Sequence, residues 1–198
     1  MSSSLADKWT FLDRFIQRLR YRQVIRFIPQ GAVLADLGCG SGDFLRYMSK
    51  RISFGYGVDI MIKSSDAGQN LLFHERDLNA KIPLDDASMD VVSALAVLEH
   101  LRDPVAFLAE VLRVLRPGGH CIVTTPAPAA KPLLELLAFK FKIISEKDIR
   151  DHKDYYGRDR LNQLFSAFEE VRIEHFQFGL NTIVIARKAS FVINKKHP

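Results

Sequence analysis

The residues with the clearest chemical purpose are a run of glycines behind an aspartate, Asp36-Leu37-Gly38-Cys39-Gly40-Ser41-Gly42. With them go two later aspartates, Asp59 and Asp77, and two histidines, His100 and His152. Glycine lets the main chain turn freely and brings its N–H groups close to a ligand. The spacing is G-x-G-x-G with Asp43 next, not the G-x-G-x-x-G of dinucleotide sites. Bulk and charge at that position suit a pyrophosphate poorly. There is also no G-x-x-x-x-G-K-[ST] loop for a nucleoside triphosphate. A carboxylate at Asp36 would repel phosphate and attract an ammonium group. Asp59 can accept hydrogen bonds from two neighbouring hydroxyls, and Asp77 from an amino group. Taken singly, each aspartate could equally cap a helix or face solvent in a turn. The histidines are suited to taking a proton near neutral pH.

An alternation of strands and helices must position these groups. Ala32-Val33-Leu34-Ala35 reads as a buried strand opening into the glycine turn, and helical spacing resumes from Asp43 to Lys50. A second strand at Phe54–Asp59 is followed by a modest helix from about Met61 to Gln69. Leu71–Glu75 and Asp90–Leu95 are the third and fourth strands. Helices are expected around Val97 to Leu101 and from Pro104 to Leu115, the latter with proline where it is tolerated. Arg116-Pro117-Gly118-Gly119 is expected to turn tightly into a fifth strand, His120 to Thr125. Upstream, Trp9 to Ile28 has helical apolar spacing and is stopped by Pro29 and Gly31. Downstream, Lys131 to Lys142 and Arg158 to Phe168 read as helices. Glu170 to Phe178 and Asn181 to Arg187 are strands joined so briefly, by Gly179-Leu180, that an antiparallel hairpin is favoured. The expectation is a single α/β domain over residues 1–198, doubly wound and mostly parallel, with an antiparallel C-terminal hairpin strand. Residues 1–30 form a helical cap and residues 127–157 an insert.

On that plan Asp36, Asp59 and Asp77 follow successive strands at the carboxyl edge of one sheet, where ligands bind in open α/β sheets. Three carboxylates so placed are hard to explain as caps. S-adenosylmethionine, with an ammonium, a sulfonium, a ribose, an adenine and no phosphate, matches them. In VLADLGCGSGDFL, GVDI, RDLNAKIPL, DVVSALAVLEHL and LRPGGHCIVTTP, roughly Val33 to Pro126, the chain resembles the class I S-adenosylmethionine-dependent methyltransferases. The resemblance implies a Rossmann-like fold whose last strand runs antiparallel and inserts beside the fifth. It also implies that Asp36, Gly38, Cys39 and Gly40 cradle the methionine part. Asp59 would hold the ribose, with Ile60 packed on the adenine. Asp77 and Leu78 would bind adenine through side chain and backbone, and Ala94 and Leu95 would pass beside the sulfonium. The cofactor is then S-adenosylmethionine and the product S-adenosylhomocysteine.

Methyl transfer is an in-line displacement in which the protein mainly supplies orientation. Some acceptors need a base, and His100, in LEHL after the fourth strand, is the first candidate. His152, in the polar-aromatic stretch Asp151-His152-Lys153-Asp154-Tyr155-Tyr156, is the second. The resemblance is strongest to small-molecule enzymes of the ubiquinone-biosynthesis O-methyltransferase type, which carry a further glutamate before LEH and can use a divalent metal. That position is Ala96 here, so Glu99 and His100 leave a metal cage incomplete and no required metal is expected.

The chain has 198 residues, 47% hydrophobic and 26% charged, with a net charge of +5. This is enough for one domain with a core and argues against wholesale disorder. There is no apolar run of the roughly 18 residues needed to span a membrane, and no secretion signal, so the cytoplasm is the expected location. Cys39 and Cys121 read as two buried thiols. Arginines crowd the N-terminal helix (Arg14, Arg18, Arg20, Arg22 and Arg26), the pattern of a solvated helix face or a nucleic-acid contact. The acceptor is expected to be a small, partly hydrophobic molecule, O-methylated, under a lid containing Phe139 and Phe141. RNA or protein methylation, with nucleic acid unlikely, and a cofactor-binding protein without turnover are the alternatives. The oligomeric state is left open.

Overall fold

The computed structural model describes residues 11–66, 68, 70–130 and 155–190. Its elements, in chain order, are α1 (Phe11–Ile25), β1 (Val33–Leu37), α2 (Asp43–Met48), β2 (Phe54–Asp59), β3 (Ser65–Asp66) and β4 (Leu71–Glu75). They continue with β5 (Met89–Leu95), α3 (Pro104–Val114), β6 (Leu115–Pro126), α4 (Arg158–Leu164), β7 (Glu170–Phe176) and β8 (Asn181–Arg187).

The strands form one sheet in the order β3-β4-β2-β1-β5-β6-β8-β7. The pairs from β4 through β6 are parallel, whereas β8 runs antiparallel to both β6 and β7. The fold is therefore the expected Rossmann-like α/β sheet, with its reversed strand inserted beside the fifth parallel one. β1 lies between β2 and β5, so the chain winds outward in both directions from it. That switch point opens a crevice above the carboxyl ends of β1 and β5.

Side-chain parity gives the sheet two cores. Leu34, Val91 and Ile122 pack with Val24 and Ile28, which lie in and just beyond α1, and with Phe44, Leu45 and Met48 of α2. Ala35, Leu37, Val92, Ala94 and Val123 pack on the other face with Phe107, Leu108 and Val111 of α3 and Leu161 and Leu164 of α4. Each large side chain buried in this way contributes about 1.5–3 kcal/mol. Asp103 starts α3, its Oδ1 accepting from the N–H groups of Val105 (3.0 Å) and Ala106 (2.9 Å) ahead of the proline-led first turn. Both cysteines are free and buried.

Three local expectations are corrected. Of the helix expected from Met61 to Gln69, the described residues 61–66 are not helical. The Glu75 N–H donates to Ser64 Oγ at 2.8 Å, and Ser65–Asp66 pairs antiparallel with β4, so residues with weak helical preference are drawn along a sheet edge. Val97 to Leu101 holds only a single 3₁₀ turn at Leu98–His100, because the chain resumes an extended conformation at Leu101. Arg116 to Gly119 does not precede the fifth strand but bulges within it, held by reciprocal main-chain bonds between Lys188 and the pair Gly118 and Gly119. Among the described residues, no helix is long and apolar enough to cross a membrane.

Candidate cofactor and acceptor site

Parity along β1 turns Asp36 to the same face as Leu34, beneath α1, and parity along β5 does the same for Ser93. The Ser93 hydroxyl donates to Asp36 Oδ1 at 2.7 Å. Asp36 is 2% exposed and has no ion pair among the described residues. Burial pushes its carboxyl up to about 7. The Ser93 hydrogen bond opposes the rise, and the Asp59 charge adds to it. A carboxylate held in this way gains from a ligand that brings a positive charge.

The glycine turn places its backbone around this group. Gly38, Gly40 and Gly42 have φ of +77°, +54° and +82°, all in the left-handed region. The Gly38 N–H donates to Val58 O at 2.7 Å, fastening the turn to β2. A Cβ at Gly38 would lie 2.3 Å from Val97 Cγ2, whereas one at Gly40 would meet nothing within 4 Å. Gly38 is thus a packing requirement, and Gly40 presents backbone to open space. The Cys39 side chain packs into the core and its thiol is pushed up by burial, which leaves its backbone for the cleft.

Asp59 bridges the turn to the next loop. Its Oδ2 accepts from the Gly40 N–H and its Oδ1 from the Met61 N–H, both at 2.8 Å. A carboxylate has about four acceptor positions, so room remains for two hydroxyls. Beside it Ile60 is 60% exposed and Met61 84%, open apolar surface next to a hydroxyl-binding group. At the end of β4, Asp77 Oδ1 accepts from the Asn79 N–H (2.9 Å) and Nδ2 (2.8 Å), so part of its capacity organises a turn. Leu78 packs on the core, which leaves its backbone available. Ala94 is fully buried, and Leu95 lines the cleft.

The structure therefore brings Asp36, the glycine turn, Asp59 and Leu95 together, with Asp77 and Leu78 farther along the same sheet edge. His100 sits half-buried at the end of the 3₁₀ turn that follows β5. His152, Phe139 and Phe141 lie outside the described residues. Among the described residues, no three His, Cys, Asp or Glu side chains gather as a metal site would require.

Sequence reasoning expected a helical cap over residues 1–30 but missed Gln17, Arg20 and Tyr21, which α1 contributes to the cleft. Among five arginines in the segment, nothing in the spacing marks Arg20 as the one turned inward, and only the docking of α1 does so. Burial lowers the Arg20 pKa, with the Glu99 charge opposing that effect. Burial likewise raises the Tyr21 hydroxyl to about 12.

A buried carboxylate under an open glycine turn, followed by an acidic β2 end beside exposed apolar residues, defines a site for an adenosyl ligand with an amino acid tail. The Methyltransferase domain family matches residues 35–123. Over those residues the chain carries a methyltransferase domain of the class I S-adenosylmethionine-dependent type, and the residues present fit that cofactor. It is 28% identical over 148 residues to the Ubiquinone biosynthesis O-methyltransferase of Paracidovorax citrulli, covering 67% of this chain and 62% of that one. It is 30% identical over 174 residues to the tRNA (carboxymethyluridine(34)-5-O)-methyltransferase of Mus musculus, covering 82% of this chain and 23% of that one. The chain thus spans less than two thirds of these curated relatives. A SAM-dependent methyltransferase structure from Archaeoglobus fulgidus superposes with a TM-score of 0.68 at 21% identity, covering 88% of this chain and 94% of that one, a likeness of fold.

Proposed function

We propose that this protein transfers the methyl group of S-adenosylmethionine to the oxygen of a small, partly hydrophobic acceptor. The observation that carries this reading is Asp36, a buried carboxylate without an ion pair among the described residues, set against a glycine turn with open backbone. The cofactor supplies an electrophilic methyl on a sulfonium. The chain's part is to bind and orient. Asp36 and the backbone of Gly38, Cys39 and Gly40 hold the methionine ammonium, and Arg20, turned into the same cleft, takes its carboxylate. Asp59 takes the ribose hydroxyls, with Ile60 against the adenine. Asp77 and the Leu78 backbone read the adenine edge, and Ala94 and Leu95 border the sulfonium. His100 and His152 belong to the acceptor side.

Likeness to a quinone-pathway O-methyltransferase and the apolar insert containing Phe139 and Phe141 support a small apolar acceptor. A second reading, an RNA acceptor, draws on the likeness to a tRNA methyltransferase and on exposed Arg18 and Arg22 on α1 and Arg26 just beyond it. Calorimetric titration with S-adenosylmethionine, S-adenosylhomocysteine and NAD tests the core of the proposal. The first two are expected to bind, with at least tenfold weaker binding by Asp59→Ala, and NAD is not. Preference for NAD would overturn it.

A further inference from the structure

Four buried polar atoms from three elements lack a hydrogen-bond partner: both carboxylate oxygens of Glu99, Thr125 Oγ1 and Arg20 Nε. Glu99 is 1% exposed on the 3₁₀ turn after β5, and Thr125 is fully buried at the end of β6. Polar groups this deep are nearly always paired, and a carboxylate with neither oxygen bonded calls for a reason. Arg20 pulls on Glu99 electrostatically and also lines the cleft with Asp36 and Leu95. Arg20 therefore connects the unpaired Glu99 to the cofactor cleft, and Glu99 stands on the turn that follows the cleft residue Leu95. The unpaired inventory of two acceptor oxygens, one hydroxyl and one guanidinium N–H complements a ligand that donates a proton and carries negative charge nearby.

We propose that these atoms form the acceptor's polar subsite, that Glu99 is the general base for methyl transfer, and that the acceptor presents an un-ionised hydroxyl, a phenol or catechol. This rests on the methyltransferase reading above. In the step, the acceptor O–H gives its proton to a Glu99 oxygen while the acceptor oxygen bonds to the methyl carbon. The C–S bond breaks with its electron pair left on sulfur, giving the methyl ether, S-adenosylhomocysteine and a protonated Glu99. Thr125 accepts from or donates to the same oxygen, and the Arg20 Nε–H steadies the negative charge that develops there, its other N–H groups serving the methionine carboxylate. Burial raises the Glu99 carboxyl to about 7; its own backbone N–H, the Arg20 charge and the Thr125 hydroxyl, near it but outside hydrogen-bond geometry, oppose the rise, and the result suits a base working at neutral pH. Arg20 on α1 is the charged group facing it from outside its turn, β6 offers only the neutral Thr125, and His100 follows on its own turn, where it is already engaged with a neighbour.

The test compares wild type, Glu99→Gln and His100→Gln for transfer of labelled methyl to catechol and to 4-nitrophenol, an acidic phenol that ionises without help. Binding of S-adenosylhomocysteine by calorimetry is measured alongside. The expected result is that Glu99→Gln binds S-adenosylhomocysteine like wild type but transfers to catechol at least ~100-fold more slowly near pH 7.5. Its residual rate should climb about tenfold per pH unit as catechol ionises, while wild type levels off above about pH 7. Transfer to ionised 4-nitrophenol should fall far less. Three results would overturn the proposal: a Glu99→Gln rate within about threefold of wild type, equal losses on the two phenols, or a wild type that binds S-adenosylhomocysteine and methylates neither. A larger loss in His100→Gln, with Glu99→Gln intact, would move the base to His100. Absence of S-adenosylhomocysteine binding by wild type would instead strike the methyltransferase reading itself.

Discussion

The Ser93 hydroxyl, on β5, donates to the carboxylate of Asp36, on β1, across 2.7 Å of buried space. This single bond is what the neighbouring strand offers against a large desolvation cost, and it leaves Asp36 raised to about 7.

A pH dependence follows. The folded-state pKa lies above the unfolded value near 3.9, so the folded chain holds the extra proton between about pH 4 and 7. Asp36 therefore favours folding most at acid pH, and its contribution falls as pH rises through about 7. Asp36→Asn should remove this component, on the order of 3 kcal/mol, from the difference in urea-unfolding free energy between pH 5 and pH 8. Bound S-adenosylmethionine favours the charged form, so its affinity should weaken as pH falls from 8 to 6, with a flatter dependence in Asp36→Asn.

Gly38 and Gly40 should separate packing from binding. Gly38→Ala forces a methyl into Val97 at φ +77° and should cost more than about 2 kcal/mol of stability by chemical denaturation. Gly40→Ala meets no atom within 4 Å and should cost only the backbone strain of about 1–2 kcal/mol, yet weaken S-adenosylhomocysteine binding tenfold or more by calorimetry.

Arg113 should matter far from the chemistry. Its guanidinium donates to Ile82 O (2.9 Å), Leu84 O (2.8 Å) and both Glu110 oxygens (2.9 and 2.8 Å), clamping the segment that follows Leu78. Arg113→Lys cannot reproduce that fork. It should lower stability by about 2–3 kcal/mol and weaken cofactor binding, measured by thermal unfolding with and without S-adenosylhomocysteine.

Methyl transfer should survive EDTA, because Ala96 supplies no ligand where a second acidic donor would stand beside Glu99 and His100. Activity that collapses with EDTA and returns with a divalent ion would refute this.

Salt should discriminate the acceptor. Transfer to an apolar phenol is expected to change little between 50 and 200 mM salt. An RNA acceptor engaging Arg18, Arg22 and Arg26 would lose affinity steeply, by at least about tenfold, over the same range.

Much of the fold was legible in the sequence because strong apolar runs and their glycine and proline boundaries are local signals. β1, β2, β4, β5 and the β7–β8 hairpin fall where Val33, Phe54, Leu71, Asp90 and Glu170 place them to within a residue at their starts. The stretch 61–66 reads locally as helical because the choice depends on a bond between the Glu75 N–H and Ser64, made only when β4 is alongside. The bulge at Arg116 to Gly119 likewise depends on Lys188, more than sixty residues downstream, so no local window contains it.

By itself the sequence determined the order of strands and helices, the glycine turn and the acidic strand ends, because each is specified by residues near one another in the chain. Only the tertiary structure decided which side chains became chemical. Asp36 and Ser93 meet because β5 pairs with β1, Arg20 turns inward because α1 docks across the switch point, and Glu99 is desolvated because β6 closes over its turn. Burial and long-range pairing set the charge and reactivity of these groups, and neither quantity exists until the chain is folded.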